Sequence, residues 1–567
     1  MEPIPFAQYN SSLHVFGILE LAKLICNLIP RSDNARLLCV CRQLSQDIRP
    51  FVWEHTDAVE TLIGMIPETR VDTYIDEPFR PYLTMHLPKS LDISRLGIYA
   101  PHIKSLDIPL TTSIDEYKNW GGFLSSIGTQ AIELLPNLEH LRLALPRDTR
   151  GETIRLEAFN WAVAFMSSSL LSFRVYPELR WDADIKEFSD AWIKLELATH
   201  LLRNLSKRCP KLNSLMILPG NIELKTKVAE IHPRLGQITE VVPTLAKFWA
   251  PLEKIHLILP RFQSLRILSA TPYILEPAAF IALSKLPCLE SLTMRDVQLD
   301  NDWQGYCYKL DSELTDQSFP ALQHLELIDL LHDTLIHICN QRPLAQALHS
   351  LRPAIAWSNV HQNKLAHLLG LLAKHRSPVG RLCLFHIPPN WSLFPYSINL
   401  IFHLKLTHLS IPQPNGFNYE MAQLAHVAPA LESLEFNQWM CDRDFRLEEL
   451  WPIATLWPNL RHLSAPIEFS SAGHLGEPGP APRDSQSLEP FCLESYFYDD
   501  PEVEGVPIPI GQTPLAKYTD KIARYIYALW PTVECKAKQL PSYFEDRPDL
   551  IRLNDLISRL RSQPPGL

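Results

Sequence analysis

The chain has 567 residues, of which 46% are hydrophobic and 20% are charged, and its formal net charge at pH 7 is -10. This composition is typical of a folded protein and not of a disordered one, and the acidic balance argues against nucleic-acid binding through clustered Lys and Arg. No apolar run approaches the roughly 20 residues that a membrane-spanning helix needs.

The amino-terminal and cysteine patterns predict an intracellular chain. The first residues, MEPIPFAQYN, contain no basic region of the kind that begins a secretory signal. Among the eleven cysteines, the close pair Cys39 and Cys41 is separated by one residue, which is shorter than the spacing of a zinc knuckle. We therefore expect a cytoplasmic and/or nuclear protein with no metal and no cofactor.

The first predicted elements are short amphipathic helices. The segment HVFGILELAKLICNLIP has a helical apolar face that ends at Pro30, and a second helical run follows over 31–48 before Trp53. About forty residues in short helices bury too little surface to be stable alone. These helices need the remainder of the chain, a partner protein, or both. Their face consists of Ile18, Leu21, Ala22, Ile25, Leu28 and Ile29.

A repeat follows, with the template Pro-x-Leu-x-x-Leu-x-apolar. Its clearest copies are LPNLEHLRL (135–143), CPKLNSLMI (209–217), LPCLESLTM (286–294), FPALQHLEL (319–327), APALESLEF (428–436) and WPNLRHLSA (457–465). This spacing is typical of leucine-rich repeats, in which apolar positions alternate with polar ones along a short strand that has one buried face. A weak copy is expected near LHSLRP (348–353), and helices are expected between the strands, as at 190–209 and 418–428.

The carboxyl end interrupts this rhythm. The stretch 470–487 is rich in Gly, Pro and Ser and predicts a flexible loop. A helix is predicted at about 515–530 and another over 548–560, which we expect to cap the open end of the repeats. The buried face predicted for the first of these helices contains Ala516, Ile522, Tyr525, Ile526 and Leu529.

Residues 13–55 resemble an F-box, the helical module that docks a chain onto the Skp adaptor of a cullin–RING ubiquitin ligase. The matching elements are ILELAKLICNLIP, Val40-Cys41-Arg42 and Val52-Trp53. An F-box commonly begins with Leu-Pro, where this chain has LHVFGI, and often has an aromatic residue where this chain has Leu44. The resemblance implies adaptor binding by Ile18, Leu21, Ile25, Leu28, Val40, Cys41, Arg42, Leu44 and Trp53.

No catalytic motif accompanies these features, so we expect a protein that is not an enzyme. Polar residues of the repeat strands are the predicted client-binding surface. A metal site is not expected there, because His408 and His462 have another strand between them, at a spacing of about 4.8 Å per strand. The candidate client-binding residues are His140, Arg142, Thr293, Arg295, His324, Glu326, His408, Glu435 and His462.

The predicted fold class is α/β: a small all-α F-box module, then an irregular leucine-rich-repeat solenoid with a helical cap, similar to fungal F-box proteins with divergent repeats. The implied function is that of the substrate-recognition subunit of a Skp–cullin–F-box ubiquitin ligase, which binds the adaptor and a client protein but neither nucleic acid nor membrane. The alternative is an interaction scaffold without a ubiquitin ligase. The predicted segments are a tail (1–12), the F-box-like module (13–56), a connecting helical segment (57–100), the repeats (101–469), the loop (470–487), and last repeats with capping helices (488–567).

Overall fold

The computed structural model divides into two compact units, with unit 1 ending at Leu289 and unit 2 beginning at Glu290. The residues that the structure describes are 15–76, 80–109, 114–144, 156–175, 193–217, 219–220, 255–295, 314–328, 330, 332–354, 363–384, 398–412, 417–437, 445–476, 490–496, 514–537 and 548–562.

Unit 1 begins with three helices: α1 (Leu19–Leu28), α2 (Arg31–Leu37) and α3 (Arg42–Val52). A small core holds them together, in which Cys26 of α1 packs with Leu44 and Ile48 of α3. Helix α3 starts directly after Cys41, whose Sγ accepts a hydrogen bond from the Leu44 N–H at 3.4 Å. This bond satisfies one of the N–H groups that a helix leaves unpaired at its start.

The helices lead without a linker into the parallel strands. Strand β1 (His55–Thr56) pairs with β4 (Ser105–Pro109), and the Glu54 carbonyl accepts hydrogen bonds from Lys104 N and Ser105 N at 2.9 Å each. The predicted fold, a separate all-α F-box module followed by a leucine-rich-repeat solenoid, is therefore wrong. The observed architecture is α/β, with parallel strands and intervening helices, and the helical segment is continuous with the first parallel strand.

The predicted connecting helical segment also contains strands. After α4 (Val59–Gly64), strands β2 (Arg70–Asp76) and β3 (Arg80–His86) pair in antiparallel fashion, and β5 (Glu116–Lys118) joins β3 in parallel. The β-branched residues Val71, Thr73 and Ile75 at every second position of RVDTYID are the sequence signal for a strand here.

The parallel strands of unit 1 follow the order β1, β4, β6, β7, β9, β11. The remaining elements of this unit are α5 (Trp120–Gln130), β6 (His140–Ala144), α6 (Leu156–Phe165), β7 (Ser172–Val175), β8 (Ile193–Lys194), α7 (Leu195–Arg208), β9 (Ser214–Met216), β10 (Pro219–Gly220), α8 (Ile255–Ile258), β11 (Ile267–Ala270) and α9 (Pro277–Ser284).

Unit 2 has a second run of parallel strands, in chain order from β12 to β21, with β18 alone lying off the path beside β19. Its elements are β12 (Ser291–Arg295), β13 (His324–Ile328), α10 (His332–Cys339), α11 (Arg342–Ala347), β14 (Ser350–Ala354), α12 (Asn363–Lys374), β15 (Arg381–Cys383), α13 (Ile398–Ile401), β16 (His408–Pro412), α14 (Phe417–Val427), β17 (Ser433–Asn437), β18 (Phe445–Arg446), α15 (Leu450–Leu456), β19 (His462–Glu468), β20 (Phe491–Tyr496), α16 (Pro514–Leu529), β21 (Val533–Ala537) and α17 (Pro548–Ser562).

The template leucines align from strand to strand in unit 2. This leucine column is buried and consists of Leu292, Leu325, Leu351, Leu382, Leu409, Leu434, Leu463 and Leu493. The predicted inward position of the template leucine is confirmed. The weak copy at 348–353 is confirmed as well, because it forms β14 between β13 and β15.

The carboxyl-terminal helices are confirmed as α16 and α17. In α16, Ile522, Tyr525, Ile526 and Leu529 are buried as predicted, whereas Ala516 is only partly covered. Of the predicted loop 470–487, Ser470–His474 form a short 3-10 helix, and the part from 477 onward lies outside the described residues, as does the predicted tail 1–12.

Candidate functional site

An exposed apolar surface covers the amino-terminal helices of unit 1. Leu28 is 75% exposed and Val40 is 66% exposed, and half of the strongly exposed large apolar side chains in the described chain lie between positions 15 and 40. Exposed apolar groups that cluster in this way mark interaction sites more often than isolated ones do. We call this surface the N-terminal apolar patch; it consists of Val15, Ile18, Leu19, Leu21, Leu24, Leu28 and Val40.

The patch exists because α1 is apolar on more of its circumference than its packing uses. Only Ala22 and Cys26 of this helix are buried, and both are small. A helix with apolar residues on most of its faces ordinarily lies between other elements. Here one narrow face contacts α3, so most of its leucine side chains remain in contact with solvent.

The structure divides the predicted adaptor-binding residues into three groups. Ile18, Leu21, Leu28, Val40 and Arg42 are exposed, and Ile25, Cys41 and Trp53 are half-buried. Leu44 is only 4% exposed, because it belongs to the core with Cys26 and Ile48, so the expectation that it is presented to a partner is wrong. Sequence reasoning missed Val15, Leu19 and Leu24, which lie off the predicted apolar face.

Trp53 has an internal partner. Its ring lies 4.8 Å from that of Tyr99, and the guanidinium of Arg49 lies 5.6 Å from the centre of the same tyrosine ring. This contact between tilted rings ties the end of α3 to the short 3-10 segments on either side of Tyr99. Trp53 is therefore a structural contact of unit 1 as well as a half-exposed group.

The polar face of unit 2 comprises the side chains that alternate with the leucine column. Thr293 and Glu326 are neighbours in register, and the Thr293 hydroxyl donates to Glu326 Oε2 at 3.1 Å. Arg352, which the sequence analysis did not select, lies with its Nε 3.2 Å from Glu326 Oε1. His324 is exposed beside this group, and Arg295 is buried, so Arg295 is not presented on the surface as predicted.

His408 lies between an arginine and a hydroxyl. Its Nε2 is 3.4 Å from Arg381 Nη2, and its Nδ1 is 2.9 Å from Thr407 Oγ1. Burial and the nearby Arg381 charge lower the pKa of His408, against the opposing charge of Glu432. A neutral imidazole fits both contacts, because Nε2 accepts from the guanidinium while Nδ1–H donates to the threonine oxygen. Arg381 was also not selected from the sequence.

Three adjacent strands bring Ser433, His462 and Glu494 together. The Ser433 hydroxyl is 3.0 Å from His462 Nδ1, and His462 Nε2 is 3.7 Å from Glu494 Oε2. The order of hydroxyl, imidazole and carboxylate is that of a hydrolase triad, but the carboxylate lies beyond hydrogen-bond distance. The Ser433 N–H donates to the Thr407 carbonyl, so it is not available to stabilise an oxyanion. Glu435 lies on the same face, at the position in register with Ser410 and Ser464.

Cys383 is a cysteine of the polar face of unit 2 on β15. Burial raises the pKa of Cys383, which lies in this face, to about 12, so its thiol stays protonated at neutral pH. Within the described residues, no group of three or more His, Cys, Asp and Glu side chains is arranged to hold a metal ion.

The polar face of unit 1 contains the remaining predicted residues, His140 and Arg142, both on β6. Both are half-buried, and Arg142 Nε lies 3.8 Å from Asp107 Oδ1 on β4. The pKa of His140 is lowered by burial and by the charges of Arg142, Arg174 and His55, while Glu139 opposes this shift. Arg174 is exposed on the neighbouring strand β7 and was not predicted.

Comparison with known proteins gives no match to a protein family and no match to a curated protein. In the part of the chain that the structure describes, every helix is too short or too polar to cross a lipid bilayer.

Proposed function

We propose that this protein is the substrate-recognition subunit of a Skp–cullin–F-box ubiquitin ligase, acting in the cytoplasm and/or nucleus. In this proposal the N-terminal apolar patch binds the Skp adaptor, and the polar strand faces bind a client protein. The chain itself catalyses nothing. It raises the concentration of the client near the ubiquitin-transfer machinery.

The observation that carries this proposal is the exposure of the patch. The helices that resemble an adaptor-binding segment leave Leu28 and Val40 in water, although their composition suits burial. Association with an apolar partner surface would remove these side chains from water, which stabilises a complex by about 25 cal/mol per Å² of apolar area. The exposed Glu20, Lys23 and Asn27 of α1 lie between the apolar residues of the patch, and an apolar centre with polar groups around it is typical of protein interfaces.

Binding of purified Skp adaptor to the full-length chain tests the proposal. We expect micromolar or tighter binding by calorimetry, weakened at least tenfold by Leu28→Asp and by Val40→Asp. Because both side chains are exposed, neither change should unfold the chain, and circular dichroism checks this. Ile551→Asp is the matched control, since Ile551 is an exposed apolar residue of α17 in unit 2.

The two possible failures have different meanings. A folded wild-type chain that does not bind the adaptor would refute the ubiquitin-ligase function and favour the alternative, an interaction scaffold without a ligase. Binding that all three variants retain equally would refute the role of the patch.

A further inference from the structure

Two arginines of unit 1 lie side by side on neighbouring parallel strands. Arg142 of β6 and Arg174 of β7 are paired in register, so their backbones are about 4.8 Å apart and their side chains leave the same face. Asp107 precedes them in this row on β4, and Met216 follows on β9. Like charges that are directly opposite one another on adjacent strands repel, which destabilises the pairing unless a counter-charge is present.

The row does not supply enough negative charge for both arginines. Asp107 is the one carboxylate among the described residues of this row, and it approaches Arg142 only to 3.8 Å, which is an ion-pair distance and not a hydrogen bond. Arg174 is exposed and makes no hydrogen bond or ion pair with any described residue. As far as the described part of the chain goes, at least one guanidinium fork is therefore available for an external anion.

The positive potential of this surface comes from the two arginines themselves. His140 lies two residues before Arg142 on the same face, and burial together with the charges of Arg142 and Arg174 lowers its pKa, so its neutral imidazole adds hydrogen-bonding groups and not charge. The hydroxyl-bearing Ser172 is in register with His140 and adds a hydrogen-bonding group beside the arginines. Glu139 is the carboxylate that raises the pKa of His140. It directly precedes β6 and is therefore not in register with Arg142 and Arg174.

The corresponding row of unit 2 has a different charge pattern. Its only described arginine, Arg352, is in register with Glu326, and its Nε lies 3.2 Å from Glu326 Oε1. In the pairs of strands described there, opposite charges are neighbours and no two arginines adjoin. Among the described strands, two arginines in register with one carboxylate beside them are thus a feature of unit 1 and not a general property of the repeat.

We propose that Arg142 and Arg174 bind the carboxylates of an acidic, extended segment of the client protein. This inference deepens the client-binding half of the proposed function and rests on it. Arginine forks match carboxylates in a bidentate geometry, and two forks one strand apart can hold one carboxylate between them or two neighbouring ones. The net charge of -10 disfavours long polyanions such as nucleic acid, whereas a short acidic segment meets only the local positive field.

The test is binding of a dye-labelled glutamate-rich peptide to the full-length chain, followed by fluorescence anisotropy. The expected result is binding that weakens with added salt and is absent for a twin peptide with glutamine at every glutamate position. Arg142→Gln and Arg174→Gln should each weaken binding by about tenfold, because each removes a charge-assisted hydrogen bond to the peptide carboxylates. Arg552→Gln is the matched control and should bind as the wild-type chain does, because Arg552 is an exposed arginine of α17 in unit 2 and lies outside the strands.

Three results would overturn the inference: no binding of the acidic peptide by the folded wild-type chain, equal losses in all three variants, or binding only of a peptide whose serines are phosphorylated. Adaptor binding is measured on the same proteins, and Arg174→Gln should leave it unchanged. A chain that binds the adaptor but not the acidic peptide refutes this inference alone. A chain that binds the peptide through the two arginines but not the adaptor refutes the ligase function and leaves the acidic-segment site standing.

Discussion

The side-chain amide of Asn554 pairs with the backbone of Cys535 in the manner of another strand. Asn554 Oδ1 accepts from the Cys535 N–H, and Asn554 Nδ2 donates to the Cys535 carbonyl, each at 2.9 Å. Cys535 belongs to β21, which ends the path of parallel strands in unit 2. An uncovered edge strand presents unpaired backbone groups that promote association between molecules, and α17 blunts this edge at Cys535.

Replacing Asn554 by Ala should leave both backbone groups of Cys535 without their partner. We expect a loss of about 1–3 kcal/mol in the free energy of unfolding, measured by urea denaturation. Asp555→Ala is the control, because Asp555 is the adjacent, exposed residue of the same helix. Equal stability of the two variants would contradict the assigned role of the amide.

A second backbone contact spans neighbouring repeats. The indole Nε1 of the fully buried Trp457 donates to the Ala428 carbonyl at 3.0 Å. Trp457→Phe should reduce the free energy of unfolding by about 1–3 kcal/mol, since it removes the donor and shrinks the side chain. Trp451→Phe, at a half-buried position of α15, provides the comparison and should cost less. An equal loss in both variants would show that the hydrogen bond is not the cause.

Ala131 is strained, and its replacement by glycine should be stabilising. It follows α5 with φ of 50° and ψ of 34°, a left-handed conformation that favours glycine. Because Ala131 is exposed, Ala131→Gly removes few contacts and should raise the free energy of unfolding by about 0.5–1 kcal/mol. The same substitution one residue earlier, Gln130→Gly, should destabilise the chain by about 1 kcal/mol because Gln130 is helical. Thermal denaturation of both variants tests this prediction. A melting temperature of Ala131→Gly at or below that of the wild-type chain would contradict the strain assigned to Ala131.

The pKa of His408 should rise when Arg381 is neutralised. Burial is the main cause of its lowered pKa, and the Arg381 guanidinium is the largest charge contribution that lowers it further. Arg381→Gln removes that charge, so titration of the His408 ring signals by NMR should show an upward shift. Arg376→Gln, a change of another exposed arginine, serves as the control. An unchanged or lowered pKa in Arg381→Gln would refute the contact.

His200 should make the chain less stable in mild acid. Burial, followed by the charge of Arg203, lowers its pKa below the model-peptide value of 6.5, and its ring stacks on Phe159 at 5.9 Å. Below pH 6.5 the unfolded chain therefore binds a proton at this position more readily than the folded chain does, so stability is complete above this pH and is lost as the pH falls toward the folded-state pKa. Melting temperatures between pH 7 and 5 should fall, and less steeply for His200→Gln. The exposed His324→Gln should keep the wild-type slope, and an unchanged slope in His200→Gln would contradict the prediction.

The repeat strands were predictable because the buried and exposed positions of each strand carry apolar and polar residues that can be read from the sequence. The leucine column and even the weak copy at 348–353 follow from alternation alone, since a strand with one buried face needs apolar residues at every second position. The start of the chain was not predictable in this way. Helical periodicity shows that Leu44 and Leu28 are apolar positions of helices, but it does not show which of them finds a partner inside the chain and which stays in water.

The contacts between polar side chains on neighbouring strands could not be predicted from the sequence either. His408 was selected because of its place in the template, yet its partner Arg381 comes from a copy of the repeat that lacks the proline and lies 27 residues away. Such side-chain pairs form only between adjacent strands. Where the copies of the repeat are weak, a single sequence does not show which strands are adjacent.

The leucine column has a consequence for how this protein can change over evolutionary time. In strands such as β17, the buried Leu434 and Phe436 alternate with the half-buried Ser433 and Glu435, so the residues that hold the sheet together are separate from those that reach the surface. Substitutions at the outward positions can therefore alter what the surface recognises with little effect on folding, and an altered strand directly contacts only its two neighbours. Insertions between strands preserve this arrangement, whereas a single inserted residue within a strand would exchange its two faces. The outward residues of the strands can thus change while the buried leucine column, and with it the fold, stays the same.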